Sequence, residues 1–380
     1  MGRRKDYVDN AINPYIAGSP VRDPAMYFGR ERVFETVRGC LAESHPSQIV
    51  VLHGQRRMGK TSTLYQLDHH LPEHYVPVLI DLQGMSLDGL DNLLWEMAQV
   101  IRRKLRREVN IVLAREDRET WFAAPEQGIK RFFGAIGQQV GDRHIVLMFD
   151  ETMLLADKID AGALEDRVYA CLADLLAEHT FLDFCFSIGS KVTLMEDELT
   201  SLSRPAVYCE LTFLEPQAAR ALICEPVRGV LDYDPGAVEH ILTLTSGQPY
   251  YTQLVCHELF RYMQSQRRHG VTQADVDAVR PGIVDMATAQ LHYLWDKTPR
   301  LGQHVLLALA EIEEQGARAF TVQQIGHLLL QHGIVASDTE IEATLTSLDK
   351  RYIVNRQGHY AFHIDLFRHW ILQHQRLEWM

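Results

Sequence analysis

Three groups of residues carry types and spacings suited to chemistry on a phosphate. The first is Gly54-Gln-Arg-Arg57-Met-Gly59-Lys60-Thr61-Ser62, which fits the G-x-x-x-x-G-K-[ST] pattern residue for residue. Gly54 and Gly59 let the backbone turn tightly around phosphate. The loop amides, Arg57 and Ser62 among them, then face the negative charge together with the start of the following helix. Lys60 is suited to the β- and γ-phosphates, and the Thr61 hydroxyl to Mg²⁺. The second group is Asp150-Glu151, about 90 residues downstream. Asp150 is the expected second metal ligand, and Glu151 the residue that orients or deprotonates attacking water. The third, Ser187, Ser190 and Lys191, follows another apolar run and offers candidates for sensing the γ-phosphate. The chemistry these groups share is binding of a nucleotide with Mg²⁺ (ATP, or ADP once it is hydrolysed) and attack of water on the triphosphate.

Each group needs an element to position it. Ile49-Val-Val-Leu52 is a short, β-branched apolar run ahead of the glycine loop, and Leu64 and Leu67 mark a helix after it. His144 to Phe149 is an apolar strand that ends on the two acids, and Phe181 to Ile188 is a second one. With Tyr75 to Leu82 and Cys209 to Leu214, strands alternate with helices from 49 to 214. That alternation predicts an α/β fold with a parallel sheet, its ligand at the carboxyl edge. Asp81 ends its strand near the same edge, or serves only as a helix cap.

The flanking stretches are less specific. Residues 1–24 read as a loosely structured lead-in. Phe28-Gly29-Arg30-Glu31 precedes a helix; its turn either lets backbone approach a flat ligand or anchors aromatics in the core. Residues 90–115 read as one helix bearing the dense basic run Arg102-Arg-Lys-Leu-Arg-Arg107. That run is either a solvated face or a contact for a partner or nucleic acid. Asp117 to Pro125 reads as a polar linker. After Glu215 the chain becomes helical, and Gly247-Gln-Pro249 sits at a helix start where turn chemistry and ligand contact are both open. Thr272, with Asp275 three positions on, opens a short helix expected to end by Val279. Helices and a hairpin within 300–380 predict a winged helix-turn-helix. That segment carries seven Lys/Arg against nine Asp/Glu, which disfavours it as a DNA reader.

Composition bounds the rest. The chain has 380 residues, a formal net charge of -12, and six scattered cysteines with no C-x-x-C pair. It is long enough for two or three domains. The cysteines suit buried thiols in a reducing compartment. The basic start MGRRKDYVDN lacks the apolar run of a secretion signal, and no apolar run reaches the ~18 residues of a spanning helix. A cytoplasmic protein without membrane contact is expected.

With these residues placed, the chain resembles the AAA+-type ATPases of the signal-transduction class (STAND), in the bacterial and archaeal branch related to origin-recognition ATPases. The resemblance covers about residues 25–375. It implies that Phe28, Gly29 and Arg30 lie by the adenine and that Ser190, after Ile188-Gly189, senses the γ-phosphate. It further implies that Pro249 of a helical lid contacts nucleotide. The corresponding divisions are an ATPase core over 25–214, a lid over 215–299 and a winged helix over 300–380. The resemblance also implies a slowly hydrolysing switch whose ATP form self-associates, as a homo-oligomer, or engages a protein effector. Net acidity ranks DNA below these as a partner. A DNA-binding ATPase using the winged helix or the 102–107 helix is the alternative.

Overall fold

A computed structural model describes residues 11–42, 47–115, 117–189, 202, 204–314, 316, 320–356 and 360–375. Two compact units divide the chain. One comprises residues 20–24 and 30–212, and the other residues up to 19, 25–29 and 213 onward.

The first unit is built on five parallel strands in the order β2-β3-β4-β1-β5. They are β1 (Ile49–His53), β2 (Tyr75–Asp81), β3 (His144–Asp150), β4 (Leu182–Ile188) and β5 (Ala206–Glu210). The strands β1 and β4 are buried along their length save His53, because helices cover both faces, and β4 carries the buried polar residues Asp183 and Ser187 among its apolar ones. The intervening helices are α1 (Glu31–Leu41), α2 (Lys60–His70), α3 (Leu90–Glu108), α4 (Arg118–Ala123), α5 (Pro125–Gly137), α6 (Met153–Asp160) and α7 (Val168–Glu178). Helix α3 buries Leu90, Leu93, Leu94, Met97, Ile101 and Leu105, a stripe at helical spacing against the sheet. Each fully buried leucine there contributes about 1.5–3 kcal/mol. The segment read as a polar linker instead forms α4. Asp117 caps it by accepting from the Thr120 amide, and Trp121 is fully buried on Gly128 of α5. The aromatic anchor, not the polarity around it, decides that stretch.

The second unit is mainly helical: α8 (Pro216–Cys224), α9 (Pro235–Thr245), α10 (Pro249–Gln266), α11 (Gln273–Asp296), α12 (Arg300–Glu314), α13 (Val322–Gln331), α14 (Asp338–Lys350) and α15 (Asp365–His374). Residues 11–19, expected to be loosely structured, pack on it. Tyr15 is buried and donates to the Ile223 carbonyl, and the Asn13 amide donates to the His257 carbonyl. Thr272 and Asp275 form the expected capping box, but α11 runs on through Pro281 to Asp296. A proline inside a helix costs about 3 kcal/mol. Burial of Ile283, Val284, Ala287, Leu291 and Trp295 beyond it offsets that cost. The C-terminal part is winged-helix-like. Helices α12 to α14 precede an antiparallel strand pair, β6 (Val354–Arg356) with β7 (Tyr360–Phe362). No helix among the described residues is long and apolar enough to cross a membrane.

Candidate nucleotide-binding site

The glycine loop leaves β1 and enters α2, as the sequence pattern requires. Gly54 is irreplaceable there: a Cβ would lie 2.4 Å from the Leu211 carbonyl oxygen, where the chain leaving β5 crosses the loop. Gly59 caps α2 with φ +92, a conformation side chains disfavour. Arg57 adopts φ +69 and lies exposed on the loop. The Lys60 ammonium curls back to donate to the carbonyls of Gly54 (2.9 Å) and Gln55 (3.0 Å). Burial lowers the Lys60 pKa and Arg56 lowers it further, while Glu151 and Asp150 oppose both. The loop lysine and the two acids, read from separate stretches, are therefore electrostatic neighbours.

Asp150 is 4% exposed at the end of β3 and accepts the Glu151 amide at 3.1 Å. Glu151 is exposed and held at φ +54. A left-handed backbone at a residue with a side chain costs energy and is found at functional sites. Here it turns the chain sharply between β3 and α6. The turn is fixed by the Thr152 hydroxyl, which donates to the Phe149 carbonyl, and by the Thr152 amide, which donates to Ser187 on β4. In β2, Asp81 stands in register beside Asp150 but accepts the Gln83 amide as the cap of a short 3-10 turn.

Thr61, half-buried, and Asp150 fit Mg²⁺ as hard oxygen donors, one hydroxyl and one carboxylate. Among the described residues no group of three His, Cys, Asp or Glu side chains could hold a metal by itself. A metal here would share its shell between these two side chains and the phosphates of a nucleotide.

Other expected site residues are placed differently. The Arg30 guanidinium donates to the carbonyls of Thr212 and, at 3.4 Å, Met58, tying the end of the β5 segment to the glycine loop. Ser62 is buried, and its hydroxyl accepts the Val21 amide at 2.9 Å. Gln66, fully buried on α2, donates to the Val21 and Arg22 carbonyls, so residues 20–24 form a strap along the helix that leaves the loop. Sequence reasoning missed this strap, although a glutamine on the buried face of α2 was the available signal. Phe28 and Gly29 belong to the helical unit, where Phe28 packs against Leu214, Ala219 and Leu222. Leu214 in turn donates to the Gly247 carbonyl, and Pro249 opens α10 beside that turn. Ser190 and Lys191 lie outside the described residues.

The basic run on α3 resolves into two sets. Arg102 donates to Gln99 and to the Ala114 carbonyl and lies over the Phe132 ring, while Lys104 pairs with Asp68 and Glu108. Arg103, Arg106 and Arg107 are exposed on one helix face and form no ion pair among the described residues.

No family model matches the chain, and no curated protein matches it. Solved structures do. The Walker-type ATPase PABY2304 of Pyrococcus abyssi matches with TM-score 0.66 and 18% identity, over 93% of this chain and 99% of that one. The Aeropyrum pernix ORC2 protein, in ADPNP and ADP complexes, matches with TM-score 0.57 and 12% identity, over 98% of each chain. A Drosophila ORC bound to DNA matches with TM-score 0.49 and 15% identity, over 94% of this chain and 89% of that one. The ranking of DNA below self-association or a protein effector is corrected by the likeness to the ORC2 protein. That ranking took whole-chain charge as its guide, and whole-chain charge does not describe one helix face. The chain shares with PABY2304 and the ORC2 protein an α/β fold with a parallel sheet, followed by a helical region that ends in a winged-helix-like part.

Proposed function

We propose that this chain binds ATP with Mg²⁺ at Gly54–Ser62, hydrolyses it, and engages DNA. The observation that carries the first part is that the glycine loop leaving β1 and the two acids ending β3 lie at the same carboxyl edge of the parallel sheet, with both acids acting on the Lys60 charge. Lys60 would exchange its bonds to the loop carbonyls for phosphate oxygens, which accept more strongly. Thr61 and Asp150 would hold Mg²⁺, which neutralises phosphate charge when bound. Glu151, fixed by its turn, would take the proton of the attacking water. The Phe28-Gly29-Arg30-Glu31 motif and the winged-helix-like unit support placement in the STAND class.

The DNA part rests on Arg103, Arg106 and Arg107. Three exposed guanidinium groups on one face, without acid partners among the described residues, suit a phosphate backbone. Helix α14 does not, since it presents Asp338, Glu340, Glu342 and Asp349 against one Lys350. Fluorescence anisotropy of a short labelled duplex against salt concentration tests this. Binding should weaken with salt, and replacing all three arginines with alanine should flatten the log–log slope by about one per arginine. Absence of binding at low salt, or an unchanged slope in the variant, would refute it.

A further inference from the structure

Strand β4 lies between the glycine-loop strand and the strand that carries the two acids. Phe149 of β3 and Phe186 of β4 are register partners, and both point into the core with Ile188. One residue further along each strand come Asp150 and Ser187. They stand side by side and project from the opposite face, because side chains alternate along a strand. The backbones are joined at the same level: the Thr152 amide, two residues after Asp150, donates to the Ser187 carbonyl at 3.0 Å.

Ser187 is 1% exposed, and its hydroxyl has no hydrogen-bond partner among the described residues. A buried hydroxyl left unpaired costs about 1–3 kcal/mol, so its persistence calls for an acceptor that it meets in some state. Alanine would fill the same space without that cost. Among the described residues the neighbouring Asp150 carboxylate accepts one hydrogen bond, at Oδ1 from the Glu151 amide. A serine rotamer change is cheap and brings the hydroxyl toward the adjacent strand.

We infer that Ser187 is a positioning residue for Asp150: its hydroxyl donates to the carboxylate and fixes the oxygen that Mg²⁺ would share. This rests on the nucleotide-site reading above. Groups that hold a metal-binding carboxylate in orientation typically matter about 10–100-fold for metal affinity. Sequence alone gave Ser187 only as one of three candidates for sensing phosphate; its register beside Asp150 assigns it to the metal side.

The test uses Ser187→Ala in the full chain, with Ser187→Thr, which keeps the hydroxyl. ADP binding is titrated by calorimetry in EDTA and over a Mg²⁺ series, and thermal unfolding is recorded for each protein. Ser187→Ala should bind ADP in EDTA as the wild type does. Its half-saturating Mg²⁺ should rise about ten-fold, its melting temperature should not fall, and Ser187→Thr should restore the Mg²⁺ response. An unchanged Mg²⁺ dependence in Ser187→Ala would overturn the inference, as would a loss of ADP binding in EDTA equal to that in Mg²⁺. Failure of the wild type itself to bind ADP would instead refute the nucleotide site.

Discussion

The Arg30 guanidinium donates to the carbonyl of Thr212, the last residue of the sheet unit, and reaches Met58 of the glycine loop. One guanidinium nitrogen, Nη2, bridges the two carbonyls, and it stands one atom further out than a lysine ammonium can reach. Replacing Arg30 with lysine should therefore loosen the loop without unfolding the chain. The loss of a charged hydrogen bond, about 1.5–3 kcal/mol, should appear as an ADP affinity at least about ten-fold weaker by calorimetry. Equal affinity would show that Arg30 serves only as packing.

Gly54→Ala should be far more damaging than its size suggests. Its Cβ would fall 2.4 Å from the Leu211 carbonyl oxygen, and the Leu211 amide donates to the His53 carbonyl of β1. Neither chain can yield without breaking the β1–β5 edge. Urea unfolding should report a loss of about 2 kcal/mol or more, together with loss of nucleotide binding. A variant as stable as the wild type would contradict the close approach.

Glu313 offers a pH test in the winged-helix-like part. Burial pushes its carboxyl up to about 7, with Asp365 adding to the rise and Arg368 and the Phe362 amide opposing it. An acid whose folded pKa is raised binds its proton more tightly when folded. Its stabilising contribution is complete below its ordinary value of 4.5 and is lost as pH rises toward about 7. Wild-type stability should fall across that window by up to the order of 3 kcal/mol relative to Glu313→Gln. Urea midpoints at pH 5 and 7.5 check this, and parallel curves for the two proteins would refute it.

Lys60→Ala should abolish nucleotide binding, because its ammonium bonds the loop carbonyls and is acted on by both acids. Calorimetry with ADP and with a non-hydrolysable ATP analogue measures it. Retained affinity would move the site elsewhere.

The phosphate loop and the Asp150-Glu151 pair were legible because each is a local pattern bound to a local element. A strand, a glycine turn and a helix start need no distant residue to be recognised. Arg30, Ser62 and Ser187 were not legible in their observed roles. Each acts on a segment far along the chain (Thr212, Val21 and the turn after Asp150), and only the fold brings these together. The end expected at Val279 fell short for a related reason: Pro281 just beyond it carries a local penalty, whereas the buried stripe that outweighs that penalty is tertiary. The basic run on α3 shows the same limit. Six consecutive positions read as one patch, but helical geometry sends Arg102 and Lys104 to protein partners and leaves three arginines exposed.

The most direct test of the account is ATP turnover in Glu151→Gln, measured beside ATP affinity. Affinity should stay within a few-fold, since Glu151 is assigned to the attacking water and not to phosphate. Turnover should fall at least about twenty-fold, or about 2 kcal/mol of barrier. Turnover equal to the wild type's would contradict the assignment of Glu151 and the hydrolytic mechanism built on it.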